Sequence, residues 1–341
     1  MFTKKNTFRE LVTDPRLAPY AGHFISGQDL TEFPFYEMTV EEISRRHYIY
    51  GYLLLNSFNR LLEAVGDGNY FCPLYSEEEI RNDPGKAEAC FLLLPSMDDR
   101  ADERPFLVCV PGGGNTQVWN MSEGFPIAAH FNQLGYHAVV LNYRHGGRGL
   151  YPAPLEDMAR LLQVIEARKD ELHLNAGHYF TAGFSAGGYV VNSWGTTNHG
   201  YAFYGLPKPV MNISVYGFAS WRSVQDNEVA ALVDSFGIVS HDRTVKELAA
   251  SDWNVEDHVD GFPPSFILHG DHDRSCDYQN SLILADALEK AGIPYRLEIG
   301  KGMDHGFCDA MFSPLRGWPE RAVNFLNELT ASEKATAFLA K

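Results

Sequence analysis

The chain has 341 residues, 45% of them hydrophobic and 13% aromatic, enough to bury one large core and too apolar for a disordered segment. Its 44 acidic side chains against 28 basic ones give a formal net charge of −16, which repels nucleic acid and anionic membrane surfaces and removes both from the expected partners. No uninterrupted apolar run approaches the roughly 18 residues of a membrane span.

The N-terminal "MFTKKNTFRE" has no apolar stretch behind its lysines and does not read as a secretory signal. The five scattered cysteines (Cys72, Cys90, Cys109, Cys276, Cys308) lack metal-type spacing and read as reduced thiols of a cytoplasmic protein. Residues 1–65 form a helical N-terminal extension or cap, since "VEEISRRHYIYGYLLLNSFNRLLEAVG" (Val40 to Gly66) is helical, tyrosine-rich and without a strand partner. It either packs on the following domain, covers a site, or serves a homo-oligomer, which the sequence leaves open.

Residues 66–341 read as one α/β domain. "GNYFCPLYS" and "EACFLLLPS" predict an antiparallel pair joined by the polar "EEEIRNDPGK". Short, nearly continuous apolar runs then recur: "PFLVCV" (Pro105 to Val110), "YHAVVLNY" (Tyr136 to Tyr143), "GHYFTAG" (Gly177 to Gly183), "VMNISVYG" (Val210 to Gly217), "SFILHG" (Ser265 to Gly270) and "YRLEIG" (Tyr295 to Gly300). Such runs suit a mostly parallel sheet covered on both faces. Between and after them, Pro154 to Leu172, "YQNSLILADALEKAG" and "WPERAVNFLNEL" carry apolar residues at three- and four-residue intervals and predict flanking helices.

The chemistry centres on Gly183-Phe184-Ser185-Ala186-Gly187, placed where a strand ends and a helix begins. A tight turn of small residues is the bland reading; a nucleophile elbow, with the serine on strained backbone, is the sharp one. A serine hydroxyl needs a base and an oriented imidazole. "DHDRSC" follows one strand and supplies Asp271 and Asp273; "KGMDHGF" follows the next and supplies His305. Serine, acid, histidine is the chain order that accompanies an elbow, and both loops lie at strand C-terminal ends. Asp273 is preferred over Asp271, which directly follows its strand and has less room to turn back. A metal cluster of His269, His272 and Asp273 is disfavoured, because no partner helix completes it. "VPGGGNT" (Val110 to Thr116) frees backbone N–H groups after a strand, and lacks both a P-loop tail and G-x-G-x-x-G spacing.

On these motifs the sequence resembles the α/β-hydrolase superfamily, and within it the esterase group related to hormone-sensitive lipases and acetyl-xylan esterases. The resemblance runs from about Phe71 to Leu329. "NYRHGGRGLYPAPLEDM" (Asn142 to Met158) is similar to the group's tyrosine-arginine stretch, and Pro111 stands where the group's oxyanion loop has histidine, as in a PGGG branch of carbohydrate acetylesterases. The resemblance implies that Ser185 attacks, that His305 shuttles the proton and Asp273 orients it, that the N–H groups of Gly113, Gly114 and Ala186 form the oxyanion hole, and that no cofactor is needed.

The expected activity is serine carboxylester hydrolysis of short acyl groups, acetyl above all, on small-molecule or oligosaccharide esters. The long crossover from Ala219 to His258 and the glycine loop offer Asn115, Trp119, Trp221, Trp253 and Phe236 as substrate contacts, aromatic core being the alternative for each tryptophan and for Phe236. A peptidase or amidase of the same fold is the competing enzyme, although residues 1–65 are too short for a propeller-type gate. A non-catalytic binding protein would be expected to have lost a member of the triad.

Overall fold

The structure is a computed structural model and describes residues 1–46, 48–65, 71–146, 149–224 and 241–339. Eight strands among them, β1 (Phe71–Pro73), β2 (Cys90–Leu94), β3 (Phe106–Val110), β4 (Ala138–Asn142), β5 (Tyr179–Phe184), β6 (Asn212–Val215), β7 (Ser265–Gly270) and β8 (Tyr295–Gly300), make one sheet in the order β1-β2-β4-β3-β5-β6-β7-β8. The β1–β2 and β2–β4 pairs are antiparallel and every other pair is parallel.

The apolar runs form strands because each of their two faces meets its own helix layer. Leu107 and Cys109 of β3 enter one core with Phe125, Ile127 and Phe131 of the helix Phe125–Gln133 and with Trp318 and Phe325 near the C-terminus. Phe106, Val108 and Val110 enter the other with Leu155 and Leu162 of Ala153–Ala167, Tyr189 and Trp194 of Ala186–Gly195, and Leu284 and Leu288 of Gln279–Lys290. β8, at the sheet edge, departs from the continuous burial of its neighbours and is only half-buried. The helix read as Pro154 to Leu172 is interrupted at Arg168 and closes on His173, whose φ of 54° ends it.

The N-terminal residues share the first of these cores. Phe8, Phe24 and Phe58 are fully buried in it, and the Phe24 ring lies 4.9 Å from Phe58 and 5.7 Å from Phe125. Each such side chain contributes roughly 1.5–3 kcal/mol on burial, which ties the helix Tyr48–Val65 to the sheet. Among the described residues no helix is long and apolar enough to cross a membrane.

Candidate active site

The C-terminal ends of β3, β5, β6, β7 and β8 surround a cavity of about 730 Å³. β5 ends on Phe184, and Ser185 follows with φ 53° and ψ −119°, a strained conformation that caps the helix Ala186–Gly195. The flanking glycines are dictated by space: a Cβ on Gly183 would lie 2.3 Å from the Gly187 carbonyl oxygen, and one on Gly187 would lie 2.1 Å from that of Val110. The spacing of the motif thus records how closely strand and helix approach beneath the serine.

The structure brings Ser185, His305 and Asp273 into one hydrogen-bonded row. His305 Nε2 is 2.8 Å from Ser185 Oγ, and His305 Nδ1 is 2.6 Å from Asp273 Oδ2. The second oxygen of Asp273 accepts the backbone N–H groups of Ser275 and Cys276. Burial alone would raise the Asp273 carboxyl, but hydrogen bonds from His269 and His305 overcome it and hold the group well below the usual carboxylate range. Burial likewise pushes the His305 imidazole down, and the hydrogen bond and charge of Asp273, with Glu123 and Asp304, reverse this and leave it above its ordinary value.

Asp271 sits elsewhere. Its N–H continues the ladder to the Gly300 carbonyl, and its carboxylate accepts from Gly302 N–H and lies 2.8 Å from His272 Nδ1, so it joins the acid loop to the histidine loop without reaching the imidazole. Asp304 does the same from the other side, accepting Arg274 N–H, the Arg274 guanidinium and His305 N–H. His269, set beside Asp273 in a conceivable metal cluster by sequence, is fully buried with Nε2 facing both Asp273 Oδ2 (3.1 Å) and the Cys276 carbonyl (2.9 Å). Two acceptors at Nε2 put the ring proton there, leaving Nδ1 to accept from Ser281 Oγ at 2.7 Å.

Gly113 and Gly114 both have positive φ, and a Cβ on Gly113 would lie 2.3 Å from the Gln117 carbonyl oxygen. Gly112 N–H is occupied by Glu123 Oε2 at 2.7 Å, whereas the N–H groups of Gly113, Gly114 and Ala186 meet no acceptor among the described residues. Three N–H donors on the loop and helix that flank Ser185 are therefore left unengaged.

Of the anticipated substrate contacts, Asn115, Trp119 and Trp221 line the cavity. Trp253 does not: it stacks on His199 at 3.8 Å and packs against Tyr151 and His241, as aromatic core. Phe236 lies outside the described residues. Sequence reasoning missed Tyr189, Phe218 and Val224, which with Trp221 contribute apolar lining, and Glu123, a buried carboxylate that also borders the cavity. Tyr189 carried a signal, standing one helical turn after Ser185; Glu123, in "NMSEGFP", reads as an ordinary first-turn acid.

Residues 92–256 match the family described as BD-FAE. The chain is 25% identical over 201 residues (56% of it, 46% of the relative) to a probable carboxylic ester hydrolase, LipM, of Mycobacterium tuberculosis. It is 26% identical over 231 residues (66% of it, 45% of the relative) to an acetylxylan esterase of Xylanibacter ruminicola. It thus spans under half the length of these relatives. Among solved structures, an acetyl ester-xyloside bifunctional hydrolase from Caldicellulosiruptor lactoaceticus superposes with TM-score 0.61 at 24% identity, covering 76% of this chain and 96% of that one. The strand order and the structural likeness give the chain the α/β-hydrolase fold, and over part of its length its sequence is similar to those of esterases.

Proposed function

We propose that the protein is a serine carboxylesterase for short acyl groups, acetyl above all, carried on carbohydrate or other bulky alcohols. The observation that carries this reading is the unbroken row Asp273–His305–Ser185 ending beside three unengaged N–H donors. Ser185 Oγ attacks the ester carbonyl as His305 Nε2 takes its proton, and the N–H groups of Gly113, Gly114 and Ala186 receive the oxyanion. His305 then protonates the departing alcohol, and water, deprotonated by the same imidazole, releases the acid from Ser185. Asp273 stabilises the imidazolium in both halves.

An acetyl group fills little of a cavity of about 730 Å³, so the remainder suits the alcohol. In its wall the half-buried Phe218 ring, backed by the buried Tyr189 and Trp221, offers an apolar surface against which a sugar ring can pack, with Asn280 and Asp277 among the polar neighbours. The names of the relatives, an acetylxylan esterase and an acetyl ester-xyloside hydrolase, support the same class. Of the polar run after the glycines, Asn115 faces the cavity; Gln117 instead accepts from Trp119 Nε1 and pairs with Gln28, fixing the loop.

The test is a p-nitrophenyl ester series below micelle formation, run with fluorophosphonate labelling. kcat/KM should fall from acetate or butyrate to esters of about ten carbons, against the ~0.8 kcal/mol per methylene that an open apolar channel supplies. Ser185→Ala should abolish labelling and lower kcat by about 10⁴-fold or more in a folded protein. Labelling retained at another serine, or rates that climb steadily with chain length, would sink the nucleophile and the short-acyl specificity respectively.

A further inference from the structure

We propose that Glu123 is a positioning residue that holds the oxyanion loop and the histidine loop in one register, acting through Gly112 N–H on one side and the Tyr216 hydroxyl on the other. The proposal rests on the serine-esterase reading above and assigns a residue to it that neither the triad nor the oxyanion hole includes.

The carboxyl group is buried and its two oxygens are divided between two loops. Oε2 accepts Gly112 N–H at 2.7 Å, and Oε1 accepts the Tyr216 hydroxyl at 2.9 Å. The same hydroxyl oxygen accepts Cys308 N–H at 3.3 Å, three residues past His305, and the Tyr216 ring lies 4.7 Å from the imidazole. One side chain therefore links the residue before the oxyanion donors to the segment after the base. Space is tight here as well: a Cβ on Gly112 would lie 2.7 Å from Ser185 Cβ and 2.9 Å from Glu123 Oε2, so the carboxyl backs directly on the elbow.

The orientation of the Gly112 peptide decides what its successors can do. With its N–H committed to Glu123, the loop turns through the positive φ of Gly113 and Gly114 and leaves their N–H groups unengaged. Without that acceptor Gly112 N–H would be a buried unpaired donor, and the loop would gain by rotating to find another partner. The donors would then miss the position of the oxyanion, where misplacement by about 1 Å is costly.

The backbone that aims Glu123 is itself unusual. Asn120–Gly124 is a turn of π-helix, closed by Phe125 N–H on the Asn120 carbonyl. Burial pushes the Glu123 carboxyl up, opposed by the nearby His305 and by its two hydrogen bonds; Tyr143, Cys109 and Cys308 are the other titratable groups around it. Hydrogen bonding, which a carboxamide reproduces, is the function assigned to the side chain.

The experiment compares Glu123→Ala, Glu123→Gln and Tyr216→Phe with the wild type on p-nitrophenyl acetate, rates being taken per site titrated by a fluorophosphonate. In Glu123→Ala, kcat per labelled site should fall about 10- to 100-fold with KM within about 3-fold, since oriented donors act in the transition state. Glu123→Gln, accepting from Gly112 and donating to Tyr216, should recover to within about 3-fold of wild type, and Tyr216→Phe should lose about 5- to 10-fold. If Glu123→Ala does not fold, the other two variants decide. A glutamine variant as slow as alanine, or full kcat per site in either the alanine or the phenylalanine variant, overturns the proposal alone. Wild-type protein that neither labels at Ser185 nor turns over an ester removes the esterase reading together with it.

Discussion

The two sides of Ser185 are held in place by different means. On the side of β7 and β8, three carboxylates do the work within a short span of chain: Asp273 fixes the imidazole, while Asp271 and Asp304 tie the acid loop to the histidine loop. On the side of β3, the loop Gly112–Trp119 is anchored by residues far upstream. Ser26 and Val118 exchange backbone hydrogen bonds, Met121 N–H donates to the Phe24 carbonyl, Gln117 pairs with Gln28, and Phe33 packs on Trp119. One side is a set of local charge-assisted clamps, the other a docked segment whose hold is spread over many small contacts. A clamp fails at a single substitution; a docked segment fails gradually.

The sharpest way to break the comparison is within the clamps themselves. Asp273→Asn should lower kcat by about 10²- to 10⁴-fold, because the imidazole loses its tautomer and its counter-charge together. Asp271→Asn should cost only a few-fold, since its partners are Gly302 N–H and His272. Measuring kcat for both on one short ester, with folding checked by circular dichroism, gives the result; the reverse order would make Asp271 the acid. On the opposite side, Gly113→Ala forces a Cβ against the Gln117 carbonyl and strains a φ of 131°. The expected loss is about 10²- to 10³-fold in kcat with substrate affinity largely kept, as for removal of an oxyanion donor. An alanine variant with wild-type kcat would remove Gly113 from the hole.

Protonation distinguishes the two sides further. In the proposed mechanism His305 acts as base in its neutral form, so its raised pKa should place the acid limb of kcat/KM above the ordinary imidazole value of about 6.5. In Asp273→Asn the hydrogen bond and charge that raise it are lost while burial remains, so the limb of the residual activity should move to lower pH. A limb that stays in place or moves upward contradicts that origin of the shift. Substitutions in the docked N-terminal segment should leave the limb where it is.

The clamp side was legible in the sequence for a physical reason. β7 ends at Gly270, Asp271 N–H still pairs with Gly300, and only after this can the chain turn and present a carboxylate to a neighbouring loop. Two consecutive strand–loop units thus displayed acid and histidine in order, and the G-x-S-x-G spacing displayed the close approach of Gly183 to Gly187. The docked side was not legible. Gln28 and Gln117 are separated by 89 positions, and Ser26 reaches Asn142 across 116, so no local pattern marks their pairing. The tyrosine-rich stretch after Val40 announced itself as helical, but nothing in its pattern said which face of the sheet it would cover. Glu123 was hidden for a different reason, because a carboxylate at a helix start has an ordinary electrostatic explanation.

The smallest predicted effect tests the docked side directly. Phe33 is partly buried, lies 4.5 Å from Phe35 and 6.2 Å from Trp119, and Trp119 in turn lines the cavity and spans the loop back to Gly112 through its N–H. Truncating Phe33 removes one support of that indole while leaving the backbone pairing of Ser26 with Val118 in place. Phe2, in the same segment, packs on Phe58 at 6.4 Å and provides a matched control away from the loop. Both Phe33→Ala and Phe2→Ala should lower Tm by a few degrees, as losses of about 1–2 kcal/mol do in a domain of this size. Phe33→Ala alone should also raise KM by about 2- to 5-fold if Trp119 is the substrate contact proposed for it, since loosening that contact weakens binding before it affects the chemistry. Equal KM values in the two variants would mean that the N-terminal segment supports the fold without shaping the site, and the docked side of the comparison would reduce to packing.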